Sequence, residues 1–432
     1  MSSALLVWGL RRWVHQGHLT LITPDGHRHE IGTPDGRPRA VVRLKDQYLP
    51  LRLIRNGAYH LGQGYMDGGL VIEDGTLRDF LEILAVNTGM ESATGLKSIP
   101  HRVERLAAYL QQYNPLRRAR ANVAHHYDLS GELYRRFLDD DWQYSCAYFE
   151  APEASLEEAQ LAKKRHLAAK LRLKPGLRVL DIGSGWGGLA IYLARVAGVE
   201  VTGITLSVEQ QKAATERAAA AGVADRVRFL LRDYRDELGS FDRIVSVGMF
   251  EHVGVPHYNA FFRRVRDLLV PDGVALLHAI GRVDGPGTTN PWLRKYIFPG
   301  GYAPALSEVL PAIERTCLYA TDIEILRMHY AWTLRGWYER FAAARAEIAS
   351  KLYDERFCRM WEFYLAASEM EFRHLGTMVF QIQMARQIDA VPFTRGYIED
   401  AERSLKQAEA ALYSPLPGGE VASGSERVRG SG

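Results

Sequence analysis

The run Leu180-Asp-Ile-Gly-Ser-Gly-Trp-Gly-Gly188 joins an apolar β-type segment to an amphipathic helical one through a turn holding four glycines. Glycine has no Cβ and tolerates positive φ, so a corner this rich in glycine lets the backbone approach a ligand. The helix N-terminus that follows adds unpaired N–H groups and partial positive charge at the same place. The surrounding pattern agrees with an α/β fold. Ser155-Leu-Glu-Glu158 has the form of a capping box opening a helix to about Leu171. Strand-like runs at 177–183, 199–206, 227–233, 241–248 and 273–280 follow, most of them separated by helical stretches such as SVEQQKAATERAAAA and HYNAFFRRVRDLLV. Strands alternating with helices predict a Rossmann-like, doubly wound parallel sheet. From 302 to about 385 the chain reads as a largely helical, aromatic-rich insertion.

Ahead of this region, short β-type runs alternate with turn signals, among them Pro24-Asp25-Gly26, Pro34-Asp35-Gly36 and Asp74-Gly75. The expected organisation is a small α+β N-terminal domain (1–95), a basic helical linker (96–121), a catalytic domain (122–415) and a disordered Gly/Ser-rich tail (416–432). A net charge of +3 is too small to argue for nucleic acid. Cys146, Cys317 and Cys358 are widely spaced with no CxxC pattern, which argues against a disulfide framework or a zinc site and for a reducing compartment. His125-His126 with Asp128 invites a metal, but adjacent histidines share one ion poorly, so no metal is expected. The opening run MSSALLVWGLRRWVHQGHL carries its charges after the apolar stretch, against a secretory leader. No uncharged apolar run reaches the ~18 residues of a membrane span. The expectation is a cytoplasmic, soluble protein whose membrane contact is peripheral.

The glycine turn admits two ligands. As GxGxxG (Gly183, Gly185, Gly188) it suggests a dinucleotide, which needs an acid about 20 residues on to hold a ribose. That place reads Thr205-Leu206-Ser207, so the dinucleotide reading lacks its second half. As DxGxGxG (Asp181, Gly183, Gly185, Gly187) it suggests S-adenosylmethionine, whose positive charge suits an acid ahead of the glycines. Val270-Pro271-Asp272-Gly273 before the fifth strand also resembles a turn common in Rossmann-like methyltransferases.

HYDLSGELYRRFL (126–138), WQYSCAYFE (142–150), GSGWGGLA, GITLSVEQ (203–210), RDYRD (232–236), VGMFEHVG (247–254), LHAIG (277–281), IFPGGYAP (297–304), HYAWTLRGWYERF (329–341) and FYLAASEMEFR (363–373) occur in this order. Together they resemble the cyclopropane fatty acid synthase family, and YMDGGLVIEDG in the first 95 residues resembles its longer bacterial form. The resemblance implies transfer of a methyl group from S-adenosylmethionine to a cis double bond of an unsaturated phospholipid acyl chain. A transient carbocation then loses a proton and closes a cyclopropane. It implies peripheral contact with the inner membrane face, and a homodimer is one possible assembly.

By motif match, bicarbonate as general base would be held by Glu251, His278 and Tyr330, with the backbones of Cys146 and Ile280 completing its shell. A carboxylate can accept the single O–H of bicarbonate, while histidine and tyrosine can donate to its other oxygens. The cofactor's methionine end falls to Tyr144, Ser145, Gly183 and Gly185, its ribose to Thr205, Leu206 and Gln210, and its adenine to Asp233 and Tyr234; Asp181 orders the turn. Tyr302, Tyr330, Trp332, Trp337 and Tyr338 are candidate aromatic faces for a cation. Taken singly, His278 and Tyr330 fit ordinary core roles equally well, and it is the joint pattern that points to function. Many family members carry a cysteine where this chain has Ser368, a poorer nucleophile without an activating base. The same transfer with loss of a different proton would give a methyl-branched or methylene fatty acid.

Overall fold

The computed structural model describes residues 2–95 and 131–413. The expected linker (96–121), the His125-His126-Asp128 group and the expected tail (416–432) lie outside the described residues.

The N-terminal part runs α1 (Ser2–Trp13), β1 (His18–Ile22), β2 (Arg28–Gly32), β3 (Arg39–Leu44), α2 (Leu49–Arg55), α3 (Gly57–Met66), β4 (Leu70–Asp74) and α4 (Leu77–Gly95). Its four strands form a sheet of order β2-β1-β3-β4, in which only β1 and β3 are parallel. The first Pro-Asp-Gly triplet makes the β1–β2 hairpin, with Gly26 at φ 87° and the Thr23 N–H donating to the His27 carbonyl. The three helices α1 to α3 go beyond the sequence reading. Helix α3 contains Gly57, Gly62 and Gly64, which lower intrinsic helicity. Tertiary packing overrides that cost, because a Cβ at Gly62 would stand 2.8 Å from the rings of Trp292 and Phe363.

The second part opens with α5 (Gly131–Phe137) and α6 (Leu156–Lys170), the latter capped as its sequence implies, with Ser155 and Glu158 in a reciprocal box. Then come β5 (Arg178–Ile182), α7 (Gly188–Ala197), β6 (Glu200–Thr205), α8 (Val208–Ala220), β7 (Val227–Leu231), β8 (Phe241–Val247), α9 (Tyr258–Leu268) and β9 (Leu269–Arg282). These are followed by α10 (Pro291–Tyr296), α11 (Leu306–Glu314), β10 (Tyr319–Leu326), α12 (His329–Lys351), α13 (Glu355–His374), β11 (Thr377–Ala385) and α14 (Gly396–Tyr413). Seven strands form one sheet, β10-β11-β9-β8-β5-β6-β7, with β5 to β9 parallel and β11 antiparallel to both neighbours. This is a Rossmann-like doubly wound sheet. Strand order reverses between the parallel neighbours β5 and β8, and α/β sheets place ligands at the carboxyl ends of strands at such a point.

The region from 302 to 385 is not simply helical, since β10 and β11 extend the sheet. In TMVFQIQMA the polar Gln381 and Gln383 interrupt the apolar run and hide a strand buried on both faces. Both glutamines are engaged, Gln381 with His278 and Gln383 with the Lys170 carbonyl and Tyr397.

The two parts share a core. Leu44, Phe80 and Leu81 belong to the same apolar cluster as Phe137, Trp337 and Trp361. Charged contacts reinforce the seam: Arg78 on α4 donates twice to Glu369 on α13, at 2.7 and 2.8 Å, and the Tyr65 hydroxyl donates to Glu362 at 3.2 Å.

Candidate active site

Two adjoining cavities open at the carboxyl ends of the parallel strands. The first lies over the glycine turn. The N–H groups of Gly183 and Ser184 both donate to the Ile204 carbonyl, at 2.9 and 3.0 Å, which pins the turn to β6. Gly183, Gly185 and Gly187 all have positive φ. At Gly185, no atom of the described residues other than its chain neighbours lies within 4 Å of where a Cβ would stand. Gly187 does not line the cavity; a Cβ there would strike Phe229 of β7 and Ala214 of α8, so its task is to let the turn into α7 close onto these two elements. Every other expected cofactor residue lines this space: Tyr144, Ser145, Asp181, Gly183, Gly185, Thr205, Leu206, Gln210, Asp233 and Tyr234.

Their chemistry separates the two ligand readings. No acid stands at the end of β6, where Thr205 instead donates to the Gln210 side chain at 2.8 Å. A ribose-binding carboxylate of the dinucleotide type is therefore missing. Asp181 is enclosed, its Oδ2 has no hydrogen-bond partner, and burial raises its pKa to about 7. A buried carboxylate oxygen without a partner suits a cationic ligand and repels a pyrophosphate. The Asp233 carboxylate is held bidentately by Arg235, at 2.8 Å on each oxygen, which fixes the rim beside Tyr234.

The second cavity, of about 440 Å3, adjoins the first through Tyr144, Ser145, Gly248 and His252, which line both. Glu251, His278, Tyr330, Cys146, Ile280 and Ser368, far apart in sequence, all line it. Glu251 follows β8; one carboxylate oxygen accepts from the Ile280 N–H at 2.7 Å, and the other is buried without a partner. Burial raises its pKa to about 7. His278, on β9, lies opposite Gln381 of β11, and the amide nitrogen of Gln381 approaches its Nδ1 at 3.2 Å. Burial, aided by the charges of Lys163 and Lys170, lowers its pKa to about 3, so the ring is neutral. With Nδ1 accepting, the ring proton sits on Nε2 and is available to donate. Glu251 and His278 thus offer one acceptor and one donor, the set a small oxyanion with a single O–H requires.

Of the five aromatics singled out from the sequence, Tyr302 and Tyr330 line this cavity, while Trp332, Trp337 and Tyr338 do not. Trp337 is fully buried, stacked on Tyr144 and edge-on to Phe137. Trp332 packs on Phe149 and His329, and Tyr338 faces Arg78. Helical spacing could not separate core from cavity, and the missed aromatics Phe298 and Phe372 line the cavity instead. Burial also raises the Cys146 thiol, which leaves it inert at neutral pH.

The wall between the cavities is the irregular segment 143–149, whose buried backbone has no ladder to satisfy it. Side chains supply the partners. Gln160 on α6 donates to the Ser145 and Gln143 carbonyls, at 3.0 and 3.3 Å. The Ala147 N–H donates to Thr333 at 3.0 Å and the Phe149 N–H to His329 at 2.9 Å, both acceptors being on α12. Lys163, one turn beyond Gln160 and buried, donates to Ser145 Oγ at 3.0 Å and to the Gln143 side chain. Its pKa falls to about 8 because burial outweighs the attraction of Asp139 and Asp141. Neither residue was legible as part of the site, since a Gln and a Lys in the polar-rich run LEEAQLAKKRHLAAK look like a solvated helix face.

Residues 114–382 match the family described as mycolic acid cyclopropane synthetase. The chain is 40% identical over 359 residues to the cyclopropane-fatty-acyl-phospholipid synthase of Escherichia coli K12, covering 82% of this chain and 90% of that one. It is 36% identical over 408 residues to the tuberculostearic acid methyltransferase UfaA1 of Mycobacterium tuberculosis, covering 89% and 92%. Among solved structures, the mycolic acid cyclopropane synthase CmaA1, complexed with SAH and CTAB, superposes with a TM-score of 0.59 at 34% identity. That alignment covers 63% of this chain and 99% of the other.

Proposed function

The chain belongs to the mycolic acid cyclopropane synthetase family and is an S-adenosylmethionine-dependent methyltransferase, and from that premise we propose that it cyclopropanates the cis double bond of unsaturated phospholipid acyl chains, with bicarbonate as the base. The observation that carries this reading is that a buried Glu251 oxygen without a hydrogen-bond partner among the described residues and the neutral His278 line one largely apolar cavity that adjoins the cofactor space. S-adenosylmethionine would supply an electrophilic methyl group, and Tyr144, Ser145, Asp181 and the Gly183–Gly185 turn would hold it. Methyl attachment leaves positive charge on the acyl chain, and the faces of Tyr302, Tyr330 and Phe372 can lower its cost. Bicarbonate supplies a base able to take the proton that ring closure releases. Glu251 would accept from it, and His278 and Tyr330 would donate to it. In this reading Ser368 forms no covalent link.

The domain roles follow the same reading. Residues 122–415 carry the chemistry, and 1–95 brace the acyl cavity and hold the enzyme at a membrane or a second copy. Residue Ala58 of α3 lines the acyl cavity, which ties the N-terminal part to the substrate. A methyl-branched or methylene product is the second reading, favoured by the name of the UfaA1 relative, which shares 36% identity over most of both chains. The test is transfer to monounsaturated phospholipid vesicles in carbon-dioxide-free buffer with and without added bicarbonate. Bicarbonate should raise kcat at least tenfold in the wild type and have no effect on E251Q. Equal rates with and without it would remove the base from the mechanism.

A further inference from the structure

We propose that the solvent face formed by α1 and α2 is the surface on which this enzyme docks to a bilayer carrying anionic headgroups. The proposal rests on the reading of the acceptor as a membrane phospholipid. Leu5 and Trp8 lie about one turn apart on α1 and are 54% and 59% exposed, and Leu51 and Ile54 on α2 are 47% and 40% exposed. Isolated surface apolar residues need no account, but these stand on two helices packed against each other. The opposite side of α1 is anchored through Val7 in the core, so the exposed side is not a misplaced inner face.

Charge specifies the occupant. The two helices carry Arg11, Arg12, Arg52 and Arg55 and no acidic residue. Arg12 lies over the Trp8 ring at 5.0 Å, which joins the cationic and apolar parts of the patch. Exposed Trp and Leu among arginines are what an anionic interface selects, apolar groups entering the acyl boundary and guanidinium groups meeting phosphates. Arg52 is paired with Asp46 at 3.0 Å, which leaves Arg11, Arg12 and Arg55 for a protein partner to match individually, whereas an anionic bilayer matches them as a field.

Position gives the patch a purpose. Helix α2 passes through Asn56 directly into α3, whose Ala58 lines the acyl cavity beside Pro291 and Leu293 of α10. Lys295 of α10 donates to the Tyr59 hydroxyl at 2.7 Å, fixing that corner next to the cavity. An enzyme seated on α1 and α2 would therefore hold this side of the cavity towards the lipid. No helix among the described residues is long and apolar enough to cross a membrane, so surface contact of this kind is what the described part offers.

The test is sedimentation of the full chain with phosphatidylcholine vesicles, with and without phosphatidylglycerol, for wild type, L5S/W8S/L51S/I54S and R11Q/R12Q/R52Q/R55Q. Wild type should prefer anionic vesicles, and the apolar variant should bind them at least tenfold more weakly. The arginine variant should lose the anionic preference, each arginine accounting for about fivefold. Transfer to vesicles should fall in parallel, while transfer to detergent-dispersed lipid and the Tm should stay at wild-type values. Wild-type vesicle binding by the apolar variant overturns the proposal. So does a change of oligomeric state by light scattering with vesicle binding intact, since the face then belongs to a second copy. If docking behaves as stated but no vesicle lipid is ever methylated, the acceptor assignment fails and the docking surface stands. If all three proteins methylate vesicles equally, the docking surface fails and the acceptor assignment stands.

Discussion

The role proposed for Glu251 would come at a cost in stability. Burial holds its carboxyl protonated up to about pH 7 in the native state, while the unfolded chain releases that proton near 4.5. The stability it allows at low pH is therefore lost as pH rises between those values, by about 3 kcal/mol in all. E251Q keeps the contact with the Ile280 N–H and lacks the charge. It should gain stability relative to wild type between pH 5 and pH 8 by denaturant titration, and should lose about 100-fold or more in kcat. A pH-independent difference would mean that the carboxylate has a partner in the ligand-free protein. At Ser368 the expectation is the reverse: S368A and S368C should both stay within about threefold of wild-type kcat, because in the proposed reaction the proton leaves through another group. These residues were visible in the sequence only through their motifs. Nothing in LHAIG tells that His278 is neutral, since its partner Gln381 stands 103 positions away on a strand the sequence did not disclose.

At the scale of elements, the glycine turn, the five parallel strands and the capped helix α6 are legible because each is set by local chemistry: alternation of strand and helix, a capping box, and positive φ at glycines. What local chemistry does not set is harder to read. Strand β11 is hidden by two buried glutamines, and segment 143–149 is ordered by side chains from α6 and α12. That segment makes a prediction of its own. K163M leaves Ser145 Oγ and the Gln143 side chain without their buried donor, at a cost of about 1–3 kcal/mol for each group so orphaned. The KM for S-adenosylmethionine should rise about tenfold, more than kcat falls. In wild type the same KM should climb as pH passes about 8, where Lys163 loses its proton, and in K163M it should not. A K163M enzyme with unchanged KM and an unchanged pH profile would reduce Lys163 to a packing residue.

Across the whole molecule, the N-terminal sheet and the catalytic sheet were each foreseeable, but their shared core was not. Sequence separates them by a basic stretch, whereas packing joins them through Phe80, Trp337 and Trp361 and through Arg78 and Glu369. Glu369 is fully buried, and its neighbour in sequence, Ser368, lines the acyl cavity. R78A leaves that carboxylate with Arg373 as its remaining ion-pair partner and should cost about 3 kcal/mol by denaturant titration. It should also slow transfer, since α13 carries one wall of the cavity. An R78A enzyme with wild-type stability would mean that the Arg78–Glu369 pair adds nothing net to the seam. The central claim concerns the reaction itself, and one measurement reaches it most directly. Purified enzyme is mixed with monounsaturated phospholipid vesicles and methyl-deuterated S-adenosylmethionine, and the released acyl chains are analysed by mass spectrometry. The predicted product is a saturated three-membered ring bearing CD2, one deuterium having left with the proton-accepting base. An acyclic chain bearing CD3 would contradict it.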